Sequence, residues 1–203
     1  MQVIRKEVMT LTVDGELHRI WITGFRSYEL GVMGTKDPKL MVIKYALRKI
    51  LENAIQDGTD WLITGGQLGI EQWAIEVALE LRDEAYPEFQ IALMTPFSKF
   101  GSQWNEANAE KLTQLKSSVN FTSAVSQGDF AGRNQMVTYQ NFMLTHTDEA
   151  VIFFDEEATE SKARYDDVAI HDFAENHDYP VRRVDLDRLQ DYATEYQETL
   201  WED

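Results

Sequence analysis

The segment Trp61-Leu-Ile-Thr-Gly-Gly-Gln-Leu-Gly-Ile-Glu-Gln-Trp-Ala74 is the most informative part of the chain. A short apolar run ends at Gly65 and Gly66, Gly69 follows, and apolar residues then recur at helical spacing. This order predicts a strand, a tight turn and the start of a helix. In α/β proteins such a turn presents backbone N–H groups to an anionic ligand. The stretch therefore predicts a nucleotide-like ligand, but it does not specify a reaction.

Strand-like and helix-like segments alternate along the rest of the chain. Short apolar runs that end at turn residues predict strands at 19–23, 61–64, 90–94, 119–125, 150–154 and 181–184. Apolar residues at helical spacing predict helices near 38–57, 70–82, 103–116, 133–147, 165–176 and 189–200. This alternation predicts an α/β fold with a mainly parallel sheet and helices on both faces.

The inward faces of three helices follow from the same spacing. In the helix at 70–82 the expected buried residues are Ile70, Trp73, Ala74, Val77, Ala78 and Leu81. In the helix at 133–147 they are Met136, Val137, Gln140, Met143 and Leu144. In the helix at 165–176 they are Tyr165, Val168, Ala169 and Phe173.

The first residues of the chain add one more element. Asp14-Gly15 lies between two groups of β-forming residues, and this dipeptide is a strong hairpin signal. We therefore expect residues 1–18 to form a strand or hairpin extension and residues 19–203 to form a single domain.

The charge of −16 is concentrated near the C-terminus, since residues 148–203 hold 18 acidic and only 5 basic side chains. Such a chain repels a phosphate backbone, which disfavours nucleic acid as a partner. The acidic segment is either a solvated face or a docking surface for a basic protein partner. No apolar run approaches the ~20 residues of a membrane span. With zero cysteines and no secretory signal pattern, we expect a soluble cytoplasmic protein.

Ligands of such sheets bind beyond the carboxyl ends of the strands, near a change in strand order. The residues expected at those ends are Gly24, Phe25, Arg26, Ser27, Gly65, Gly66, Gln67, Gly69, Glu71, Thr95, Pro96, Phe97 and Asp155. The loop residues Arg133 and Asn134 are expected to join them. We take these fifteen residues as the candidate ligand-binding set.

Several of these residues have a structural and a functional interpretation. The glycines either form a plain βα turn or let a ligand approach the backbone. Glu71 either stabilises its helix by a favourable interaction with the helix dipole, or faces a sugar hydroxyl, or serves as a catalytic acid or nucleophile. Arg26 is either a surface arginine or a two-pronged phosphate ligand, and Asp155 is equally suited to a helix cap. For Trp73, a position in the hydrophobic core is favoured over a role as a platform on which a ligand stacks.

Common catalytic and cofactor motifs are absent from the chain. The glycine pattern is neither the dinucleotide fingerprint nor a P-loop, and no serine lies in a nucleophile elbow. The four histidines have no metal-ligand spacing with each other or with nearby carboxylates, so we expect no metal cofactor.

Three motifs in order resemble the YpsA family of uncharacterised bacterial cytoplasmic proteins: Ile22–Gly31, Ile63–Ala74 and Met94–Phe97. The segments Arg133–Gln135 and Ala150–Asp155 fit as well, and the similarity covers roughly residues 19–190.

That family belongs to the SLOG superfamily of Rossmann-like proteins, which includes the LOG phosphoribohydrolases and the DNA-processing protein DprA. The resemblance implies a Rossmann-like fold and a pocket for a nucleotide-derived ligand at Gly65, Gly66 and Gly69, with Glu71 and Trp73 just after. The LOG signature P-G-G-x-G-T is absent, and the acidic charge disfavours DprA-like DNA binding.

Three functions follow from these observations. The first is a sensor or regulator that binds a nucleotide or an NAD/ADP-ribose-type ligand. In this case the amides of Gly66–Gly69 and the Arg26 side chain would bind phosphate. Glu71 would bind the ribose, and Phe25 or Phe97 would cover the base. The second is a nucleotide N-glycosidase or phosphoribohydrolase with Glu71 as the acidic catalyst. The third is an acidic interaction protein in growth or division control. A homo-oligomer is compatible with each of them.

Overall fold

A computed structural model describes residues 17–202 as six strands and six helices that alternate along the chain. The strands are β1 (His18–Gly24), β2 (Thr59–Thr64), β3 (Gln90–Phe97), β4 (Phe121–Ser126), β5 (Glu149–Phe153) and β6 (Val181–Val184). The helices are α1 (Pro38–Gln56), α2 (Ile70–Glu84), α3 (Glu106–Ser118), α4 (Arg133–His146), α5 (Arg164–Ala174) and α6 (Leu186–Glu202). The predicted α/β fold is confirmed. The strand or hairpin extension expected at residues 1–18 lies outside the described residues, apart from residues 17 and 18, and His18 begins β1.

The six strands form one parallel sheet in the order β4-β3-β2-β1-β5-β6. β1 is central and pairs with β2 on one side and with β5 on the other, in a register that ends at Gly24 and Phe153. The chain adds β2 to β4 on one side of β1 and then returns to add β5 and β6 on the other. The switch point therefore lies between the carboxyl ends of β1 and β5, where α/β sheets bind their ligands.

The helices cover both faces of the sheet, as a Rossmann-like fold requires. α1 packs against α2 and α6, and α2 packs against α3, whereas α4 and α5 contact each other. Right-handed crossovers place α1 to α3 on one face and α4 and α5 on the opposite face. Strands covered on both faces are apolar throughout, which explains the uninterrupted runs in β1, β2 and β5.

The start of α1 and the buried face of α2 agree with the sequence predictions. Asp37 caps α1 by accepting a hydrogen bond from the Lys39 N–H at 3.0 Å, and Pro38 occupies the first turn, where no N–H partner is needed. In α2 the whole predicted stripe is buried, and Trp73 lies in the core.

The predicted inward faces of α4 and α5 were partly wrong. Val137 is 40% exposed, and Tyr139 is buried in its place. In α5, Tyr165 and Val168 are exposed by 48% and 57%, whereas Asp166 and two further residues, Asp167 and Ile170, face inward. Hydrogen-bond donors from distant elements meet the two aspartates, and this satisfies carboxyl groups that burial would otherwise disfavour.

Within residues 17–202, no helix combines the length and the apolar character needed to cross a lipid bilayer.

The Gly24 backbone provides a test of the switch-point geometry. Gly24 has φ 151°, and a Cβ on it would overlap the Phe153 carbonyl oxygen of the neighbouring strand. Gly34 has a similar φ of 154°, but open space surrounds its Cα. We expect Gly24→Ala to lower the free energy of unfolding by about 1–3 kcal/mol more than Gly34→Ala, because only the first substitution adds a steric clash to the backbone strain. Urea denaturation of both variants measures the difference, and equal losses would contradict this account.

Candidate functional site

Six polar or ionisable side chains meet at the switch point, and each of these residues is less than a tenth exposed. They come from β1, the loop after it, α2, α4 and α5, and we call them the switch-point cluster: Thr23, Arg26, Glu71, Tyr139, Gln140 and Asp166. Arg26 and Glu71 belong to the candidate set from the sequence, and the structure adds the other four. A buried group of this kind at the carboxyl edge of a parallel sheet is the strongest candidate site in the described chain.

Two carboxyl groups approach one hydroxyl at the centre of the cluster. The Thr23 Oγ1 lies 2.9 Å from Glu71 Oε1 and 3.1 Å from Asp166 Oδ2. The second oxygen of each carboxyl group accepts a hydrogen bond from a nitrogen donor. The Gln67 N–H donates to Glu71 Oε2 at 2.8 Å, and the Gln140 Nε2 donates to Asp166 Oδ1 at 2.7 Å.

Burial raises the pKa of both Glu71 and Asp166, because the charged forms lose their hydration. The positive charge of Arg26 lowers both pKa values but does not offset the effect of burial. The Arg26 guanidinium itself donates to the Gly24 carbonyl oxygen at 2.8 Å. Arg26 is therefore a fixed buried cation that compensates the two acids, and it is not a surface residue.

The Tyr139 hydroxyl is buried and has no hydrogen-bond partner among the described residues. Burial raises its pKa well above the ordinary value, so the group is a neutral donor. A Cβ on Gly65 would overlap the Glu71 carboxylate and would lie 2.5 Å from the Tyr139 hydroxyl oxygen. Gly65 is thus required because two side chains of the cluster lie against its Cα.

Backbone hydrogen bonds join the glycine turn to the loop that follows β1. The Ile70 N–H donates to the Phe25 carbonyl oxygen at 3.2 Å, and the Ser27 N–H donates to Leu68 O at 3.3 Å. The Gln67 N–H is already bonded to Glu71. A phosphate could reach the Gln67 amide only by displacing a carboxylate, so this turn offers fewer free amides than the sequence predicts.

The other candidates at the first two strand ends have mainly structural contacts. Gly24 and Phe25 are buried, and the Phe25 ring packs against Phe154 with 6.0 Å between ring centres. Phe25 therefore has little free surface with which to cover a base. A Cβ on Gly66 would press into Leu112, and Gly69 caps α2 with φ 114°.

The candidates from β3, from α4 and from the loop after β5 do not join the hydrogen bonds of the cluster. Thr95 and Pro96 are buried in β3, and the half-buried Phe97 packs against Phe100 and Phe130, with centroid distances of 5.6 Å to each. The first turn of α4 holds Arg133 and Asn134, both exposed. Asp155 accepts hydrogen bonds from the N–H groups of Glu157 and Leu186, which supports the capping interpretation.

Glu29 links the two loops that flank the switch point. Its carboxylate accepts a hydrogen bond from the Arg26 N–H at 2.6 Å and another from the Lys162 N–H at 2.8 Å. These two amides belong to the β1–α1 and β5–α5 loops, which flank the switch point. Glu29 therefore holds the two loops together at the switch point.

The missed members of the cluster have only weak signals in the sequence. Thr23 is a polar residue directly before the glycine that ends an apolar strand, whereas Asp166 lies outside the inward face predicted for its helix. Tyr139 and Gln140 have no local signal that separates them from ordinary core residues. Within the described part of the chain, no group of three or more histidine, aspartate or glutamate side chains is placed to hold a metal ion.

Comparison with known proteins agrees with this architecture. The model of the YpsA family, described as the YspA SLOG family, matches residues 20–189. The chain belongs to the YpsA family. A relative named UPF0398 protein in Levilactobacillus brevis is 56% identical over 90% of this chain and 95% of its own length. Another of the same name, in Latilactobacillus sakei, is 52% identical over 90% of this chain and 97% of its own length. A third, in Leuconostoc citreum, is 47% identical over 90% of this chain and 95% of its own length. These YpsA-family relatives share nearly the whole domain.

The unpartnered Tyr139 hydroxyl leads to a stability prediction. Removing a buried hydroxyl that has no partner also removes its desolvation cost, so Tyr139→Phe is expected to raise the free energy of unfolding by about 1 kcal/mol. Tyr179 is the matched control, because its hydroxyl bonds to Thr147 Oγ1 at 2.7 Å and donates to Glu149 O at 3.1 Å. Tyr179→Phe is expected to lower the free energy by about 1 kcal/mol. Urea denaturation measures both, and a Tyr139→Phe loss as large as the control's would show that the hydroxyl has a partner.

Proposed function

We propose that this YpsA-family protein binds a nucleotide-type ligand of the NAD or ADP-ribose class at the switch point and acts as a cytoplasmic sensor or regulator. One observation carries the proposal: a buried hydroxyl donor, Tyr139, has no partner beside two carboxyl groups at the ligand-binding edge of a Rossmann-like sheet. Native proteins rarely bury a donor without a use for it. Such exceptions concentrate at functional sites.

The chemistry of the cluster suits a ribose. A sugar hydroxyl can donate to a carboxylate oxygen of Glu71 and accept from the Tyr139 hydroxyl at the same time. Both groups lie against the Cα of Gly65, so the missing side chain of this glycine lets them lie close together. The ribose role assigned to Glu71 from the sequence is thus retained, with Tyr139 added to it.

The phosphate position fits the start of α4 better than the glycine turn. The N-cap residue of α4, Gly132, provides no side-chain cap, and Arg133 and Asn134 are exposed beside it. Free N–H groups at a helix start together with an arginine form an anion site. The helical rise places Arg133 about 9 Å along the axis from Tyr139, a spacing suited to one ligand that contacts both.

An aromatic surface is available for the base. Phe130 is 60% exposed, and its ring rests on the half-buried Phe97. A nucleobase can stack on such a ring, which retains the predicted role of Phe97 and extends it to Phe130.

The binding proposal is tested by titrating the full chain with NAD, ADP-ribose, nucleoside phosphates and ribose 5-phosphate while the melting temperature is followed. A ligand at 100 times its Kd is expected to add about 2.7 kcal/mol of stability. Arg133→Ala is expected to weaken binding of the phosphorylated ligands at least tenfold, while the matched exposed arginine at the start of α5, Arg164→Ala, leaves it unchanged. No shift with any ligand at millimolar concentration would refute the proposal.

A second candidate function is supported by the carboxyl pair. Glu71 and Asp166 both bond to Thr23, and burial raises both pKa values. A carboxyl group with a raised pKa can protonate a departing base, and a carboxylate can stabilise the positive charge that develops on the sugar. This arrangement would suit a nucleotide N-glycosidase.

The enzyme candidate is tested by measuring free base released from the same ligands. Glu71→Gln is expected to reduce the rate by at least 100-fold, because its side chain can neither donate as an acid nor carry negative charge. The control is Asp167→Asn, since Asp167 is equally buried but pairs with Arg183 outside the cluster. Turnover that survives in Glu71→Gln would remove Glu71 from the chemistry.

A further inference from the structure

We propose that Glu71 and Asp166 share one proton through the Thr23 hydroxyl at neutral pH. The three side chains then form a single acid–base unit with a charge of −1. This inference rests on the contacts of the cluster and stands whether or not the proposed ligand is bound.

The number of hydrogen atoms available for the two contacts of the Thr23 hydroxyl supports a shared proton. Thr23 Oγ1 is within hydrogen-bond distance of both Glu71 Oε1 and Asp166 Oδ2, but a hydroxyl has one hydrogen to donate. If both acids were ionised, one carboxylate oxygen would face an oxygen lone pair with no hydrogen between them. A single added proton removes this conflict, because one carboxyl group then donates to Thr23 and Thr23 donates to the other.

The remaining contacts of the two acids do not provide an alternative. Glu71 Oε2 and Asp166 Oδ1 already accept from the Gln67 N–H and the Gln140 Nε2, so each acid has one oxygen left, and both of these face Thr23. The arrangement is symmetrical: each acid has one nitrogen donor and a half share in one hydroxyl. Either acid can therefore carry the proton.

The surrounding charges favour one proton over two or none. Arg26 from the β1–α1 loop is the cation that acts on both acids, and Tyr139 from α4 is a neutral neighbour. One ionised carboxyl group balances the single charge of Arg26, whereas two would leave a net negative charge in a buried place. With the proton in place the cluster is neutral, so a nearby phosphate of the proposed ligand meets no net repulsion.

The shared proton is tested by infrared spectroscopy of the full chain at pH 7 without ligand. A protonated carboxyl group has a carbonyl band separate from that of carboxylates, and we expect the band of one such group per chain. We expect the band to be lost in Glu71→Gln and also in Asp166→Asn, because the acid that remains can ionise beside Arg26 and accept from Thr23. Asp167→Asn is the control, and its spectrum should retain the band. Absence of the band in the wild type, or its persistence in both single variants, would overturn the proposal.

A second measurement needs no substitution and therefore does not depend on the folding of a variant. With carboxyl carbons labelled by ¹³C, two resonances are expected to titrate together in two steps, one of them at a higher pH than every other acid of the chain. Independent titration of all the carboxyl groups near ordinary pH values would contradict the shared proton. Because neither measurement includes a nucleotide, a failure here is distinct from a failure of ligand binding.

Discussion

The Thr23 hydroxyl is the contact on which the arrangement of the switch point depends. It lies at the end of the central strand and joins Glu71 of α2 to Asp166 of α5, two helices on opposite faces of the sheet. A buried acid without donors costs several kcal/mol, so each of these helices is held in the orientation that brings its carboxyl group to Thr23. Arg26 adds the compensating charge. The polar centre thereby fixes how the two helical layers meet around β1.

The glycine turn has contacts within the protein that its sequence pattern does not reveal. Two of its amides are bonded within the protein, and Gly65 and Gly66 leave space for protein side chains. A turn that exposes amides to a phosphate and a turn that packs closely on its own carboxylate require the same small residues. The sequence pattern alone cannot distinguish them, because the difference lies in the position of Glu71.

The architecture could be predicted from local patterns because the sheet is covered on both faces. Apolar runs such as 150–154 are unambiguous when every side chain of a strand is buried, and α1 begins where Asp37 and Pro38 predict. The inward faces of α4 and α5 could not be predicted in this way. Asp166 is buried because it meets Thr23, 143 residues away in sequence, and no local spacing contains that information. For the same reason Arg26 was expected on a phosphate, although its charge is used inside the cluster.

The distance along the chain between the members of the cluster has a consequence during translation. β1 to β4 and the helices between them leave the ribosome well before α5, so the central strands can pair while Asp166 is still unsynthesised. Glu29 must likewise wait for Lys162, which follows 133 residues later. The nascent chain can therefore form most of its sheet before the switch-point cluster is complete, and a product truncated before α5 would hold five strands and four helices but would lack Asp166.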